Sequence, residues 1–380
     1  MESYYREFSS ISPDIFHTQR QEETTTTTTT TMDIAVTMSM VLGTMVCGIG
    51  GLLLLQKEPN KDVQTTTTNT TTTTNSSRFL PCPKLQPSKY SYECFVLYYT
   101  PIWIGLFGMI VLFQWYESFT KWDYIIVCGG LALPLLLQPF LVPYLKTTST
   151  TSTMNILPNS PDNDRSHYYE RYCFKANVWL FVYSFIGNYW YTHYFYSVLQ
   201  AKYTMPEIHR LNNVPIALIF ATHFYFSTYH LFSNMILRKI VTTYEHSFQR
   251  TILYWYVIVV FSYFTAFMET LTISSYPYYT FEDRNMAYTV GSAFYGIYFL
   301  VSFPAFFTFD DDIDNDRINN DNGNVATTNS TTKTNTHTRH VVTVWDTIVS
   351  SCGYGMMILF LLDFVRLYLD IPLVVGADPS

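Results

Sequence analysis

The sequence predicts an all-α, polytopic integral membrane bundle of about eight transmembrane helices. Three observations carry that expectation. Only 13% of the 380 residues are charged while 48% are hydrophobic, against about 25% charged in a typical soluble domain. The apolar residues gather into eight runs, each close to or above the ~20 residues that a helix needs to cross a bilayer. Between the runs lie polar tracts dominated by Thr and Asn. A membrane-crossing segment must satisfy its own backbone hydrogen bonds, so helix is the default for each run. The high content of β-branched and aromatic residues would favour strands in water, but the lengths of the runs argue against strands.

In order, the runs are 34–55, 94–116, 124–144, 178–200, 214–237, 251–275, 287–309 and 347–369. The first is rich in Met and Gly and is the weakest candidate for a span. Pro101 falls in the second run and Pro134 and Pro139 in the third, where kinks are expected. Residues 1–31, which end in a threonine homopolymer, and the tracts 64–77, 147–153 and 310–339 bury too little apolar area to offset chain entropy and read as disordered. The resulting domain division is a Thr-rich N-terminal extension over 1–79, with a possible span at 34–55, and a membrane-embedded domain over 80–380 with a loop insert at 310–340. Loops 56–93, 145–177, 238–250 and 310–346 hold fifteen Lys and Arg against seven on the other side. By the positive-inside rule the first set is cytoplasmic and both termini are lumenal. The sequons at Asn69, Asn75 and Asn329 would then go unused.

A net charge of −7 with no basic face gives nucleic acid nothing to bind. The six Cys show neither CxxC nor Cys/His zinc spacing, and no metal site is expected. Tyr and Phe are abundant, at 32 and 29. They suit both interfacial belts and the lining of a pocket for a rigid apolar ligand.

Polar residues inside the runs are the candidates for chemistry. Glu269 is the one charge between Thr251 and Ser275, where a carboxylate costs roughly 3 kcal/mol on insertion scales. It rests most cheaply there as the neutral acid, which can donate a proton. Ser262, Thr265, Thr272 and Tyr276 share its helical face, so it reads either as a proton donor or as an interhelical hydrogen-bonding strut. On the fifth run His223, Ser227, His230 and Asn234 form one stripe. Each His is either a satisfied core imidazole or an acid–base partner of Glu269; an i, i+7 pair is too far apart for one compact metal site. The segment Gly187-Asn188-Tyr189-Trp190-Tyr191-Thr192-His193-Tyr194 packs donors, acceptors and rings into two turns and suggests a cavity lining. At a rise of about 1.5 Å per residue, His193, His223 and Glu269 fall in the same, lumenal half of the membrane. Asp363 and Arg366, spaced i, i+3, read as a mutually neutralised pair.

From about Leu80 onward the chain resembles the cycloeucalenol cycloisomerase family of cyclopropyl sterol isomerases. The segments that carry the resemblance are YTPIW (99–103), YESFTKWDY (116–124), KANVW (175–179), GNYWYTHYF (187–195), LNNVP (211–215), THFYFSTYH (222–230), ETLTISSYPYYTFEDR (269–284) and VSFPAFF (301–307). They occur in order and cover the seven later runs. The resemblance implies an isomerase of the endoplasmic reticulum membrane that opens the 9β,19-cyclopropane ring of a 4-methyl sterol drawn from the bilayer, turning cycloeucalenol into obtusifoliol. It implies no cofactor, because the reaction is redox neutral. On this reading Glu269 is the acid, and His223 or His193 the base or relay. Asn188, Trp190, Tyr191, His230 and the aromatic at position 226, Phe226, contact the sterol. Glu282, Asp283 and Arg284 either cap the pocket and meet the 3-hydroxyl or form a solvated loop. The alternative function is a non-catalytic sterol-binding or transport protein. A receptor is disfavoured by the lack of DRY and NPxxY motifs, and a transporter by the lack of a visible internal repeat.

Overall fold

The computed structural model describes residues 13–57, 77–83, 86–148, 168–205, 208–273, 276–308 and 342–373, without side-chain detail over 13–33 and 141–148. The tracts at 64–76 and 149–153, the insert at 310–340 and the sequons lie outside the described residues. The chain is a helical bundle, as the apolar runs predict. Its long helices are α1 (Pro13–Leu54), α2 (Pro87–Leu112), α3 (Lys121–Thr148), α4 (Tyr172–Ile186), continued through a π-turn (Gly187–Tyr191) into α5 (Thr192–Val198), then α6 (Ile216–Thr243) and α7 (Phe248–Ile273). A short α8 (Arg284–Met286) leads through a second π-turn (Ala287–Gly291) into α9 (Ser292–Phe307), and α10 (Val344–Tyr368) comes last.

Six of the apolar runs form helices long and apolar enough to cross a membrane, and the chain is a multi-pass membrane protein. The fourth and fifth runs fall short of that measure, for two physical reasons. The fourth is divided by its π-turn, and the fifth, α6, carries His223, His230, Asn234 and Arg238. Both are inner helices. α6 packs against α2, α3, α4, α7 and α9, so its polar groups find protein partners. The outer helices are more apolar because lipid is what they meet: only 6% of the apolar stretch of α1 is buried, against 67% for the span ending at Phe307.

Helix ends obey local chemistry. Pro87 opens α2, where a missing N–H costs nothing. α10 begins with a capping box: Thr343 Oγ1 accepts from the Asp346 N–H at 3.1 Å, and the Asp346 carboxylate accepts from the Thr343 N–H at 2.9 Å. α1 starts well before the apolar run and passes through the threonine tract, a longer helix than composition predicts. Extending an existing helix is far cheaper than nucleating one.

Small residues set the close approaches, as is usual in membrane bundles. Gly296 of α9 faces the Ser262 carbonyl of α7, and Gly355 of α10 faces Ile186 and the Tyr191 hydroxyl. α1 seats Gly48 under Tyr256, whose hydroxyl donates to the Met45 carbonyl at 3.0 Å.

Charge is also buried. Arg238 of α6 makes a two-pronged ion pair with Glu93 of α2, Nη1 to Oε2 at 2.8 Å and Nη2 to Oε1 at 2.7 Å, and donates from Nη1 to the Phe79 carbonyl. Lys89 lies over the Tyr172 ring, and Lys175 donates to the Val342 carbonyl. Counting loop charges places all four in loops, because the apolar runs end at the first charge. Pairing and ring contacts remove that penalty, so the helices continue. Asp363 and Arg366 do pair, with Arg366 Nε donating to Asp363 Oδ1 at 2.9 Å.

Candidate active site

The cavity in the bundle lies where the inner helices meet the loops at one end. One wall is the first π-turn and the helix that continues it: Gly187, Asn188, Thr192, Phe195 and Leu199. Thr222 and Phe226 of α6 form a second wall, and Glu269, Thr270 and Ile273 of α7 a third. Tyr295 and Tyr298 of α9 close the side, and Tyr203, Tyr279 and Phe281 close the loop end. The empty volume is about 690 Å3 with its open mouth included.

The loop end is built from two short antiparallel pairs among the described residues. β1 (Lys202–Tyr203) pairs with β4 (Tyr279–Thr280), and β2 (Arg210–Leu211) with β3 (Val214–Pro215). The turn of the second pair is Asn212-Asn213, both at positive φ (52° and 58°), a conformation that Asn tolerates. Arg210 fastens the two pairs by donating to the Tyr203 and Asn213 carbonyls. Tyr203 and Tyr279 stack with centroids 4.4 Å apart. Burial pushes both phenols above the ordinary tyrosine range, Tyr203 far above it, so both remain hydroxyls.

Glu269 faces the cavity. Tyr295 Oη donates to its Oε2 at 2.9 Å. On the facing wall, Asn188 Nδ2 donates to the Ser184 carbonyl at 2.8 Å and to Thr222 Oγ1 at 2.6 Å. The remaining surface is largely aromatic, with Tyr298 packed against Phe195 and Tyr295. A carboxyl among rings and hydrogen-bonded by a phenol is equipped to move a proton to and from an apolar molecule.

The residues singled out from sequence separate into two groups. Glu269, Asn188 and Phe226 line the cavity. His193, Tyr191, Trp190, His223 and His230 are not among its lining residues. Asn188, Thr192, Phe195 and Leu199 follow the i, i+4, i+7, i+11 stripe of a helix and take the cavity face. Tyr191 turns away and donates to the Gly355 carbonyl of α10 at 2.8 Å. Trp190 is 46% exposed, its ring edge-on to Tyr189. His193 sits edge-on to Tyr196.

The α6 histidines are directed into the packing. His230 Nδ1 meets the Phe226 carbonyl at 2.8 Å, and Nε2 meets Ser302 Oγ at 2.9 Å. A carbonyl only accepts, so Nδ1 carries the proton and Nε2 accepts from Ser302. His230 is therefore a satisfied core imidazole, ringed by Trp179, Phe303 and Phe306. His223 bonds Asn177 Oδ1 at 3.2 Å and lies against Phe181. Asp283 caps α8 by accepting the Asn285 N–H, and Glu282 and Arg284 are exposed, as in a solvated loop; their neighbour Phe281 is the one that reaches the cavity. The reading from sequence missed Tyr295, Tyr298, Tyr203 and Tyr279. Among 32 tyrosines no spacing separates these four from those that face lipid.

A protein of Arabidopsis thaliana named cycloeucalenol cycloisomerase is 40% identical to the chain over 233 residues, which are 59% of this chain and 75% of that protein. No protein-family model matches the chain, and no solved structure matches it.

Proposed function

Because this chain belongs to the cycloeucalenol cycloisomerase family, we propose that its cavity opens the 9β,19-cyclopropane ring of a 4-methyl sterol, with Glu269 as the acid. The reading assigns the chain cycloeucalenol as substrate, obtusifoliol as product, and the endoplasmic reticulum membrane as location, with the sterol entering from the bilayer. The observation that carries it is the Glu269 carboxyl, hydrogen-bonded to Tyr295 on the wall of an aromatic cavity.

The un-ionised Glu269 gives its proton to C19. The electron pair of the C9–C19 bond becomes the new C19–H bond, C19 becomes a methyl group, and C9 is left positive. Ring faces in the wall, Tyr298 and Phe195 among them, lower the energy of that cation by about 2 kcal/mol or more in a desolvated site. The C8–H electron pair then forms the C8=C9 double bond as a base removes the proton. Among the described lining residues Glu269 is the one carboxyl, and no imidazole joins it. The Glu269 carboxylate left by the first step is thus the base this reading assigns, and taking the C8 proton restores the acid. His223, which bonds Asn177, and His193, which packs against Tyr196, are the bases expected from sequence, and neither is among the lining residues. General acid–base groups of this kind supply roughly 10²–10⁴-fold each.

The alternative of a non-catalytic sterol-binding or transport protein is not favoured: the relative is named as an isomerase, and the carboxyl that isomerisation requires faces the cavity. The test is turnover of a cyclopropyl sterol by the full chain in lipid, run in deuterated water. The expected product carries deuterium in its new C19 methyl group, because Glu269 exchanges its proton with the solvent between turnovers. Folded, reconstituted protein that converts no cyclopropyl sterol would refute the assignment.

A further inference from the structure

Hydrogen-bond accounting at Asn188 leaves one group over. The Ser184 carbonyl can only accept, so the amide end that meets it at 2.8 Å is Nδ2, and chemistry fixes the orientation of the side chain. The same Nδ2 donates to Thr222 Oγ1, whose own hydroxyl is turned to the Leu218 carbonyl at 2.8 Å. Both amide hydrogens are therefore used. Oδ1 has no donor paired with it among the described residues, and Asn188 lines the cavity. That oxygen is accessible at the cavity, and an amide oxygen only accepts, so what it can hold there is a ligand that donates.

We infer that Asn188 Oδ1 accepts the hydrogen bond of the sterol 3-hydroxyl, making Asn188 the residue that selects an alcohol at that position. This rests on the sterol isomerase reading. The chemistry of the substrate fits the arrangement. C19 is attached to C10, a ring-A carbon, and the 3-hydroxyl is on the same ring, so the reacting carbon and the hydroxyl share one end of the nucleus. One cavity can then offer both to protein, with Glu269 on the α7 wall and Asn188 on the π-turn wall. Beside Asn188 on the cavity wall stands the small Thr192. The exposed Glu282, Asp283 and Arg284 are left without a part in hydroxyl recognition.

The experiment compares three cyclopropyl 4-methyl sterols on the lipid-reconstituted full chain: the 3-alcohol, the isosteric 3-ketone and the 3-O-methyl ether. Affinity is read by displacement of a radiolabelled sterol, and turnover is measured separately. The ketone and ether present only lone pairs to Oδ1, so the wild-type chain is expected to bind each about tenfold or more weakly than the alcohol. Asn188→Leu is expected to erase that preference by losing affinity for the alcohol alone. The wild-type comparison stands by itself if the variant does not fold. Equal affinity of the wild type for alcohol and ketone would overturn the inference. Turnover without the preference would sink this inference alone, whereas the preference without turnover would sink the isomerase reading and leave Asn188 in place.

Discussion

Tyr295→Phe is the most informative single change. Tyr295 Oη donates to Glu269 Oε2 at 2.9 Å, and the ring packs against Phe195, Tyr298 and Phe299 with centroids 5.7, 4.9 and 5.0 Å away. Removing the oxygen keeps the ring and those contacts, so the fold should hold. The lost bond matters most when Glu269 has given up its proton, because a hydroxyl stabilises a carboxylate more than a neutral acid. Hydrogen bonds to charged groups are worth about 1.5–3 kcal/mol. At about 1.36 kcal/mol per factor of ten, kcat should fall by roughly 10- to 150-fold. KM should move little, since the sterol does not touch that bond in the ground state. The assay is steady-state conversion of a cyclopropyl sterol by reconstituted protein, read by mass spectrometry of the extracted sterols. A kcat within about twofold of wild type, or a loss confined to KM, would refute the role given to the Glu269–Tyr295 pair.

Other outcomes rest on the same geometry. Glu269→Gln keeps the shape and removes the proton, so turnover should vanish; Glu269→Asp should retain activity reduced about 100-fold, since a displacement of about 1 Å costs that much. Arg238→Met leaves Glu93 buried without its cation and should cost about 3–5 kcal/mol, seen as a lower midpoint of thermal unfolding in detergent, while Arg238→Met with Glu93→Gln should recover part of the loss. Gly291→Ala puts a methyl 2.8 Å from Leu199 Cδ1, and Leu199 is a flexible wall residue, so the cavity should narrow and KM rise while thermal stability changes little. His230→Ala breaks the bonds to Phe226 and Ser302 and opens a hole in the core; the unfolding midpoint should fall, with kcat per folded molecule unchanged, and a selective loss of kcat would return His230 to the chemistry.

The amino-acid sequence by itself determined the all-helical membrane architecture, because hydrocarbon forces each long apolar run to close its own backbone hydrogen bonds. It also singled out Glu269, since a lone carboxyl in such a run is too costly to be incidental, and the segments around it marked the family. Spacing could not place the neighbours. Asn188 and Tyr191 lie within one turn of each other, yet Asn188 lines the cavity while Tyr191 bonds the Gly355 carbonyl of α10. Runs cut at their first charge leave Glu93 and Arg238 in loops, although the helices continue and the two charges neutralise each other across α2 and α6. Which histidines reach the cavity, and which of many tyrosines bond Glu269, depends on how helices distant in sequence pack. Only the tertiary structure decided that, because a side chain's hydrogen-bond partner is set by the neighbouring helix and not by its own.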